Sequence, residues 1–350
     1  MHPILFKLPL VDWPVRLFGL FVLDAFFLAT LWAQWQMVRL KDPAIRDDAA
    51  LTKRFRMALL GTVISRVVFM ALPIPWVAIL GGILVTDFAL YFFARAALNR
   101  ASDEAAKKEA EFLFNLTFWL LLIGFFGARL FWIFTTSDGR ETFPRAPLEA
   151  LFAIWDGGIV YYGGLLCSAA FGVWYLWLKS RNILAIGDIL TAGVALTIYM
   201  GRWACFSAGC DYGEPTDLPW GVVFPSSEGT LVPPQYLDKV AIHPTQLYLS
   251  LNGLVIFGIL AFVLARKRFD GQVTYLFLML YPIGRSFVER FRGDEGRGLY
   301  EIFEGFSLSS SQIISVPVFV VALLLYIRAA AKARKRRKAE AAVAAEGAEG

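Results

Sequence analysis

The sequence has few cysteine, histidine and charged residues for its length. It contains three Cys and two His in 350 residues, and only 18% of its residues are charged. Three cysteines are too few for a disulfide scaffold, and their spacing does not match a zinc site. We therefore expect no metal and no other cofactor.

Hydrophobic residues, in contrast, make up 57% of the chain. A single soluble core cannot bury that much apolar surface, and several windows reach the roughly 20 apolar residues that a membrane-spanning helix needs. The net charge is +5, with a basic run at 332–338. A basic run after a span is typical of a cytoplasmic segment and does not indicate a nucleic-acid partner. The composition predicts a polytopic membrane protein.

The hydrophobic runs and the basic segments between them predict an all-α fold of about nine transmembrane helices. Pro73 and Pro75 break the run 57–94 into a helical hairpin, and the basic segments on both sides of it require an even number of crossings. The N-terminus is then outside and the C-terminus inside. Residues 1–330 form one predicted membrane domain, and 331–350 a basic and then disordered tail. The predicted spans are 17–38, two within 57–94, 113–134, one ending at 178, 183–200, 244–265, 273–289 and 313–327; the predicted connections include 39–56, 135–154 and an irregular segment, 214–242.

The chemistry is expected where an apolar run ends in Arg202, glycines and cysteines. An ionisable side chain near hydrocarbon is costly and is seldom retained without a partner or a task. Arg285 and Glu289 lie four residues apart in another apolar run and share one face of a helix, which Tyr281 and Arg292 extend. Two arginines that converge on one pocket would suit a phosphate, and in a membrane that phosphate is a phospholipid head group.

Each of these features has a structural alternative. Arg285 and Glu289 are equally consistent with an ion pair that only stabilises the helix bundle, and Arg202 with a side chain that reaches the membrane interface. The glycine pairs 157–158 and 163–164 are more typical of helix packing than of ligand contact. Composition alone leaves a transporter, a channel and a lipid enzyme open.

Five sequence blocks follow one another along the chain: Trp155-Asp156-Gly157-Gly158 with Gly163-Gly164, Gly201-Arg202 with Gly209 and Gly213, His243-Pro244-Thr245-Gln246-Leu247-Tyr248, Gly284-Arg285-Ser286-Phe287-Val288-Glu289-Arg290-Phe291-Arg292, and Ser309-Ser310-Ser311-Gln312. Their order resembles that of the prolipoprotein diacylglyceryl transferase family. The resemblance covers residues 1–38 and about 113–330. The hairpin 57–94 looks like an insertion into the seven spans that are usual in that family.

The resemblance implies an enzyme of the bacterial inner membrane with a periplasmic N-terminus and a periplasmic region at 202–243. It would transfer the diacylglyceryl group of phosphatidylglycerol to the thiol of a lipobox cysteine in a prolipoprotein. Phosphatidylglycerol, the lipobox segment and membrane lipid are the implied partners. Arg202 and Arg285 match the family's two functional arginines, and Glu289 matches its glutamate. The implied catalytic residues are Arg202, Arg285, Glu289, His243 and Tyr162, and the implied substrate-binding residues are Gly157, Gly158, Gly163, Gly164, Cys205, Cys210, Gly213, Tyr281 and Arg292.

The chain departs from the family's pattern at three of these positions. Tyr162 stands where the common motif has a histidine proposed as the catalytic base, and a phenol is a weak base at neutral pH. Cys205 and Cys210 replace an asparagine and a glutamate. His243 and Glu289 remain equal candidates for the proton acceptor, and a third alternative is that neither accepts the proton.

Two further questions stay open at the level of sequence. Cys205 and Cys210 form either two thiols or a disulfide, and a spacing of five along a helix favours the thiols because it is a poor geometry for a bridge. The chain is either an active transferase, with this acceptor or another, or a silent relative that binds phospholipid or lipoprotein precursors. Retention of Arg202, Arg285 and Glu289 favours the enzyme, because a silent protein has little use for costly charges near hydrocarbon.

Overall fold

The protein is mainly helical and divides into two compact units. The single membrane domain 1–330 stays a prediction. The first unit is Met1–Ala29 with Leu184–Gly350, and the second is Thr30–Ile183. The computed structural model describes residues 4–8, 13–71, 85, 90–92, 103–152, 158–227, 230–294, 299–303 and 306–349. Its helices are α1 Leu17–Lys41, α2 Pro43–Arg46, α3 Ala49–Ala71, α4 Glu104–Thr135, α5 Ser137–Arg145, α6 Pro147–Phe152, α7 Tyr161–Leu178, α8 Ile183–Ala208, α9 Thr245–Leu264, α10 Gln272–Val288 with a 3₁₀ turn Glu289–Phe291, and α11 Ser310–Glu349.

Three short antiparallel ribbons accompany the helices in the first unit. The middle ribbon belongs to the segment 214–242, whose described residues contain no helix, as the sequence predicts. The strands are β1 Ile4–Leu8 with β2 Trp13–Arg16, β3 Val222–Val223 with β4 Ala241–Ile242, and β5 Leu299–Phe303 with β6 Phe306–Ser309.

Five described helices are long and apolar enough to cross a membrane, which confirms a helical membrane protein. Two further predicted spans correspond to α7 and α10, helices of 18 and 17 residues. The turn of the predicted hairpin lies outside the described residues, and α3 covers its first half. The total of nine crossings stays a prediction. The five candidate spans are Phe21–Lys41, Glu104–Thr135, Ile183–Ala208, Thr245–Leu264 and Ser310–Val343.

Capping side chains extend helical structure into segments that were expected to be loops. Asp42 accepts the Ala44 N–H at 2.9 Å and begins α2 inside the predicted connection 39–56. Thr136 accepts the Gly139 N–H at 3.1 Å and begins α5 inside the predicted loop 135–154. These two caps were not predicted from the sequence. Likewise, α11 continues through the tail for which disorder was expected, because Ala, Glu, Lys and Arg are strong helix formers.

In the second unit, glycines bring α4 and α7 into close contact. A Cβ at Gly127 would collide with the side chain of Cys167, and one at Gly163 with the side chain of Phe131. A Cβ at Gly164 would lie 2.9 Å from the carbonyl oxygen of Gly124. Small residues that admit a neighbouring backbone are typical of helix interfaces in membranes. These glycines therefore set the distance between two helices.

In the first unit, a buried carboxylate on α8 holds the beginning of α10. Asp188 is fully buried and accepts the backbone N–H groups of Gly271, Val273 and Thr274 at 2.9–3.0 Å. The Lys267 ammonium also donates to the Asp188 carboxylate at 3.2 Å. The first N–H groups of a helix lack intrahelical acceptors, and a carboxylate also suits the positive end of the helix dipole. Asp188 thus caps α10 from a different helix.

Candidate active site

The last turn of α8 ends in a Schellman motif that reverses the chain. Gly209 adopts a φ of +76°, and the N–H groups of Gly209 and Cys210 both reach the Cys205 carbonyl, at 2.8 and 3.2 Å. The glycine is required there because a side chain is disfavoured at this φ. The turn places Cys205 and Cys210 at the two ends of one hydrogen-bonded loop. The helix ends between them, so the turn rather than helical spacing sets their separation; both are thiols, as the sequence favoured.

The residue after this turn is Asp211, which has a φ of +55° although it is not glycine. Two side chains from the start of α9 hold this conformation: Thr245 donates to the Asp211 carbonyl at 2.5 Å, and Gln246 donates to the Cys210 carbonyl at 2.7 Å. Both α9 residues are fully buried. Aspartate is among the few residues that tolerate this region of backbone space. The chain is thus fixed where it leaves α8.

The Asp211 carboxylate bridges two arginines from different parts of the chain. Its Oδ2 accepts Arg202 Nη1 at 2.5 Å, and its Oδ1 accepts Arg292 Nη2 at 2.7 Å. Arg292 also donates through Nε to Asp294 at 2.7 Å and pairs with it through Nη2. Sequence reasoning placed Arg202 and Arg292 in the site but missed both aspartates. The signal was available in the position of Asp211, directly after the turn that follows Arg202.

Arg285 and Glu289 pair within one turn at the end of α10, as their spacing predicts. Glu289 is 3% exposed and also lies 3.9 Å from Arg292. Arg285 interacts electrostatically with Arg202 and Arg292. The Tyr281 side chain interacts electrostatically with both Arg285 and Arg202. The structure therefore brings five predicted residues into one cluster. Three guanidinium groups and the carboxylates of Asp211, Glu289 and Asp294 form it.

Neighbouring positive charges act on the Asp211 carboxylate. Burial alone would raise the pKa of the Asp211 carboxyl, but the positive charges of Arg202 and Arg292 outweigh burial and hold this pKa below its usual value. Guanidinium groups bind phosphate through the same planar pairs of N–H donors as carboxylate. A phosphate oxygen can accept N–H groups here without a new kind of contact.

Gly213 has a packing role rather than an open face for a ligand. A Cβ there would collide with the carbonyl oxygen of His243 and lie 2.8 Å from that of Phe291. Two backbone hydrogen bonds flank Gly213. The Glu214 N–H donates to the Phe291 carbonyl at 2.9 Å, and the Gly293 N–H donates to the Tyr212 carbonyl at 3.0 Å. This close approach ties the segment after α8 to the 3₁₀ turn that carries Glu289.

His243 lies in the same unit within a group of aromatic side chains. Its Nδ1 is 3.0 Å from the Tyr248 hydroxyl, which also accepts Trp220 Nε1–H at 2.9 Å. The imidazole packs on Phe291 with ring centroids 5.1 Å apart. The backbone N–H of His243 reaches the Glu214 carbonyl at 2.9 Å. The ring is oriented through Nδ1, so that Nε2 is the nitrogen left to meet a substrate.

Cys205 and Cys210 are thiols in the structure. The Cys210 sulfur donates to the Cys205 carbonyl at 3.6 Å, and Arg202 Nη1 is 3.9 Å from the Cys205 sulfur. The hydrogen bond with the Cys205 side chain and burial both raise the pKa of the Cys210 thiol. Cys210 is therefore protonated at neutral pH and is a poor nucleophile.

The remaining predicted site residues belong to the second unit. Tyr162 begins α7 and is partly exposed, with its ring 5.9 Å from that of Tyr161. Gly163 and Gly164 lie in the α4–α7 contact. Gly158 has a φ of +71°, and its carbonyl accepts Arg129 Nη1 at 2.9 Å. Gly157 lies outside the described residues.

Comparison with known proteins gives one consistent result. A family model described as prolipoprotein diacylglyceryl transferase matches residues 72–328. A protein of Finegoldia magna named phosphatidylglycerol–prolipoprotein diacylglyceryl transferase is 32% identical over 219 residues, which cover 62% of this chain and 78% of the relative. Proteins with the same name from Geobacter sulfurreducens and Pseudoalteromonas translucida are 32% and 31% identical, and the matches cover 84% and 95% of those relatives.

Proposed function

The chain belongs to the prolipoprotein diacylglyceryl transferase family, and from this membership we propose that it transfers the diacylglyceryl group of phosphatidylglycerol to a cysteine thiol of a prolipoprotein. The main observation in its support is a cluster in which Arg202, Arg285 and Arg292 form ion pairs with three carboxylates, those of Asp211, Glu289 and Asp294. Such a cluster suits a substrate with a phosphodiester. The acceptor is the lipobox cysteine.

The reaction exchanges one carbon–oxygen bond for one carbon–sulfur bond. The acceptor sulfur attacks the glycerol carbon that carries the phosphate, a thioether forms, and the carbon–oxygen bond breaks with its electrons on the phosphate oxygen. The thiol proton passes to a base. The departing glycerol phosphate is a phosphomonoester, whose negative charge at neutral pH exceeds that of the phosphodiester.

Arg202 and Arg285 would hold this charge, and their membership of one charged cluster supports this role. Because charge on the phosphate increases during the reaction, fixed guanidinium donors stabilise the transition state more than the bound lipid. Glu289 is engaged by Arg285 and lies close to Arg292, so its role is to orient arginine rather than to accept a proton. This argument favours His243 over Glu289 as the proton acceptor.

We extend the proposal to the membrane arrangement. The protein would cross the bacterial inner membrane about nine times, with the N-terminus and the region 202–243 periplasmic and the C-terminus cytoplasmic. Five candidate spans, the helices α7 and α10 and the basic segments between them support this arrangement. A substrate-binding role of Gly157, Gly158, Gly163 and Gly164, which the family resemblance implies, is part of the same proposal.

The transferase is tested in detergent micelles with phosphatidylglycerol labelled in its acyl chains and a lipobox peptide. Wild type should give labelled peptide, and Arg285→Ala should lower kcat/KM by about 10²–10³-fold, the usual cost of losing a donor to a developing anion. The matched control is Arg290→Ala, because Arg290 is exposed on the 3₁₀ turn. Bound phosphatidylglycerol without any labelled peptide would contradict transfer to this acceptor and favour a silent binder.

Two further variants locate the proton acceptor. His243→Gln should lower kcat by about 10²–10⁴-fold if its imidazole takes the thiol proton. Tyr162→Phe should have little effect, since the proposal does not need the phenol as a base. A strong loss in Tyr162→Phe together with an active His243→Gln would reverse this assignment.

A further inference from the structure

We propose that Asp211 is a positioning residue for the transfer reaction: its carboxylate fixes Arg202 beside Arg292 in the orientation that receives the phosphate. The inference rests on the proposed function of the arginine cluster. It adds a residue that reasoning from the sequence did not select.

Asp211 forms a bridge between Arg202 and Arg292. Each oxygen of Asp211 accepts one arginine, Oδ2 from Arg202 and Oδ1 from Arg292. A single carboxylate therefore sets the separation of the two guanidinium groups. Asp294 holds Arg292 through Nε and Nη2, so that Arg292 is fixed on its other side. Asp294 thus orients Arg292, and Arg292 orients the Asp211 carboxylate. That carboxylate in turn orients Arg202, which lies on a different helix.

The backbone conformation of Asp211 also supports a positioning role. Its φ of +55° is a rare conformation for a residue other than glycine, and the Thr245 hydroxyl fixes it through a 2.5 Å hydrogen bond to the Asp211 carbonyl. Rare backbone conformations persist where the surrounding structure enforces them, and they concentrate at functional positions. Here the conformation directs a carboxylate back toward α8, the helix that the chain has just left.

Electrostatics supplies the reason for such a residue. Arg202 and Arg292 both repel Arg285, and like charges so close to one another favour separation of the three guanidinium groups. Asp211 lies between two of them and offsets this repulsion. When the phosphate enters, Arg202 can donate its other N–H groups to a phosphate oxygen while Nη1 stays on Oδ2 and Arg292 stays on Oδ1. The second arginine thus keeps the carboxylate in place during turnover.

The test uses Asp211→Asn in the full-length protein in micelles. Asparagine has the same shape and also tolerates positive φ, so the variant removes charge without changing the backbone. The matched control is Asp238→Asn, because Asp238 has a φ of +59° and pairs with Ser226 away from the cluster. We expect Asp211→Asn to lower kcat about 10–100-fold and to change KM for phosphatidylglycerol less than about threefold, because the arginines act mainly on the charge that develops.

The comparison of kcat with KM separates positioning from folding. The unfolding temperature of Asp211→Asn should fall only slightly at neutral pH, by the contribution of the Asp211 ion pairs, and Asp211→Glu should recover part of kcat because it restores the charge. Wild-type kcat in Asp211→Asn, a loss that only follows the folded fraction, or a rise in KM alone would overturn the proposal.

A second readout does not depend on transfer. Arg202 lies next to the Cys205 sulfur, so release of Arg202 from Asp211 should favour the Cys205 thiolate and accelerate its alkylation. Peptide mass spectrometry should show a rise of about threefold or more in Asp211→Asn and none in Asp238→Asn. An unchanged rate at Cys205 would contradict the bridge. Absence of transfer by wild type would instead refute the proposed function, and the Cys205 rate would still report on the bridge.

Discussion

The two ends of helix α8 each depend on an aspartate, but the two carboxylates have different kinds of partner. Near the beginning, Asp188 accepts three backbone N–H groups, the Thr274 hydroxyl and the Lys267 ammonium. Just past the end, Asp211 accepts two arginine side chains. The first carboxylate is fully buried, and the side chain of the second is 29% exposed. The first carboxylate binds mainly backbone donors, and the second binds side-chain donors.

This difference separates structural from functional use of the same residue. Backbone N–H groups at a helix start cannot leave their acceptor without unfolding that turn, so Asp188 serves stability. The guanidinium groups that Asp211 holds are those of the proposed phosphate site, so Asp211 serves the reaction. We therefore expect substitutions at Asp188 to change the free energy of unfolding and substitutions at Asp211 to change turnover.

The largest expected effect is that of Asp188→Ala. The change removes the acceptor for the N–H groups of Gly271, Val273 and Thr274 and leaves Lys267 without one of its partners. Breaking a buried charged network of this kind costs about 3–5 kcal/mol. Denaturant unfolding in detergent should show this loss, whereas kcat per folded molecule should stay near wild type. A loss under about 1 kcal/mol would remove the distinction between the two ends.

The next effect is that of Gly213→Ala at the Asp211 end. The new methyl group would collide with the His243 carbonyl and crowd the Phe291 carbonyl, both of which belong to backbone. Overpacking of this kind costs about 1–3 kcal/mol. Gly201→Ala is the matched control, because nothing lies within 4 Å of a Cβ there, and alanine favours a helix. Equal unfolding free energies of the two variants would show that this close approach is not needed.

A smaller effect concerns acid. The pKa of the Asp211 carboxyl is lowered, so its ion pairs contribute stability that is fully present above the ordinary value of 3.8 and is lost as pH falls through the lower value in the folded protein. The groups that face it are Arg202, Arg292 and, more weakly, Arg285. The unfolding temperatures of wild type and Asp211→Asn should differ by a constant amount from pH 8 to about 5 and converge below about pH 4. Convergence at neutral pH would contradict the lowered pKa.

The smallest effect concerns thiol reactivity at the same end. Because the pKa of the Cys210 thiol is raised, its alkylation at pH 8 should be at least about tenfold slower in the folded protein than after unfolding. Unfolding without a reductant should then expose both Cys205 and Cys210 to the reagent. Failure of both to react in the unfolded protein would show a disulfide instead of the two thiols.

Much of this site followed from residue types and spacing. Arg285 and Glu289 pair as their separation of four predicts, and Tyr281, Arg292 and Arg202 join them. Asp211 could not be selected in the same way, because its role depends on a backbone conformation and on Arg292, which is 81 residues away. The short helices α2 and α5 were missed because their caps, Asp42 and Thr136, act over only a few residues.

The sequence by itself determined the helical membrane class, the family and the arginines of the site. Those features depend on apolar runs, on helical periodicity and on ordered motifs, all of which are local along the chain. Only the tertiary structure decided which carboxylate each arginine meets, that Asp188 caps a distant helix, and that Gly213 and Gly163 serve close packing. The physical reason is that hydrogen-bond partners and steric contacts between distant segments exist only once the helices have packed.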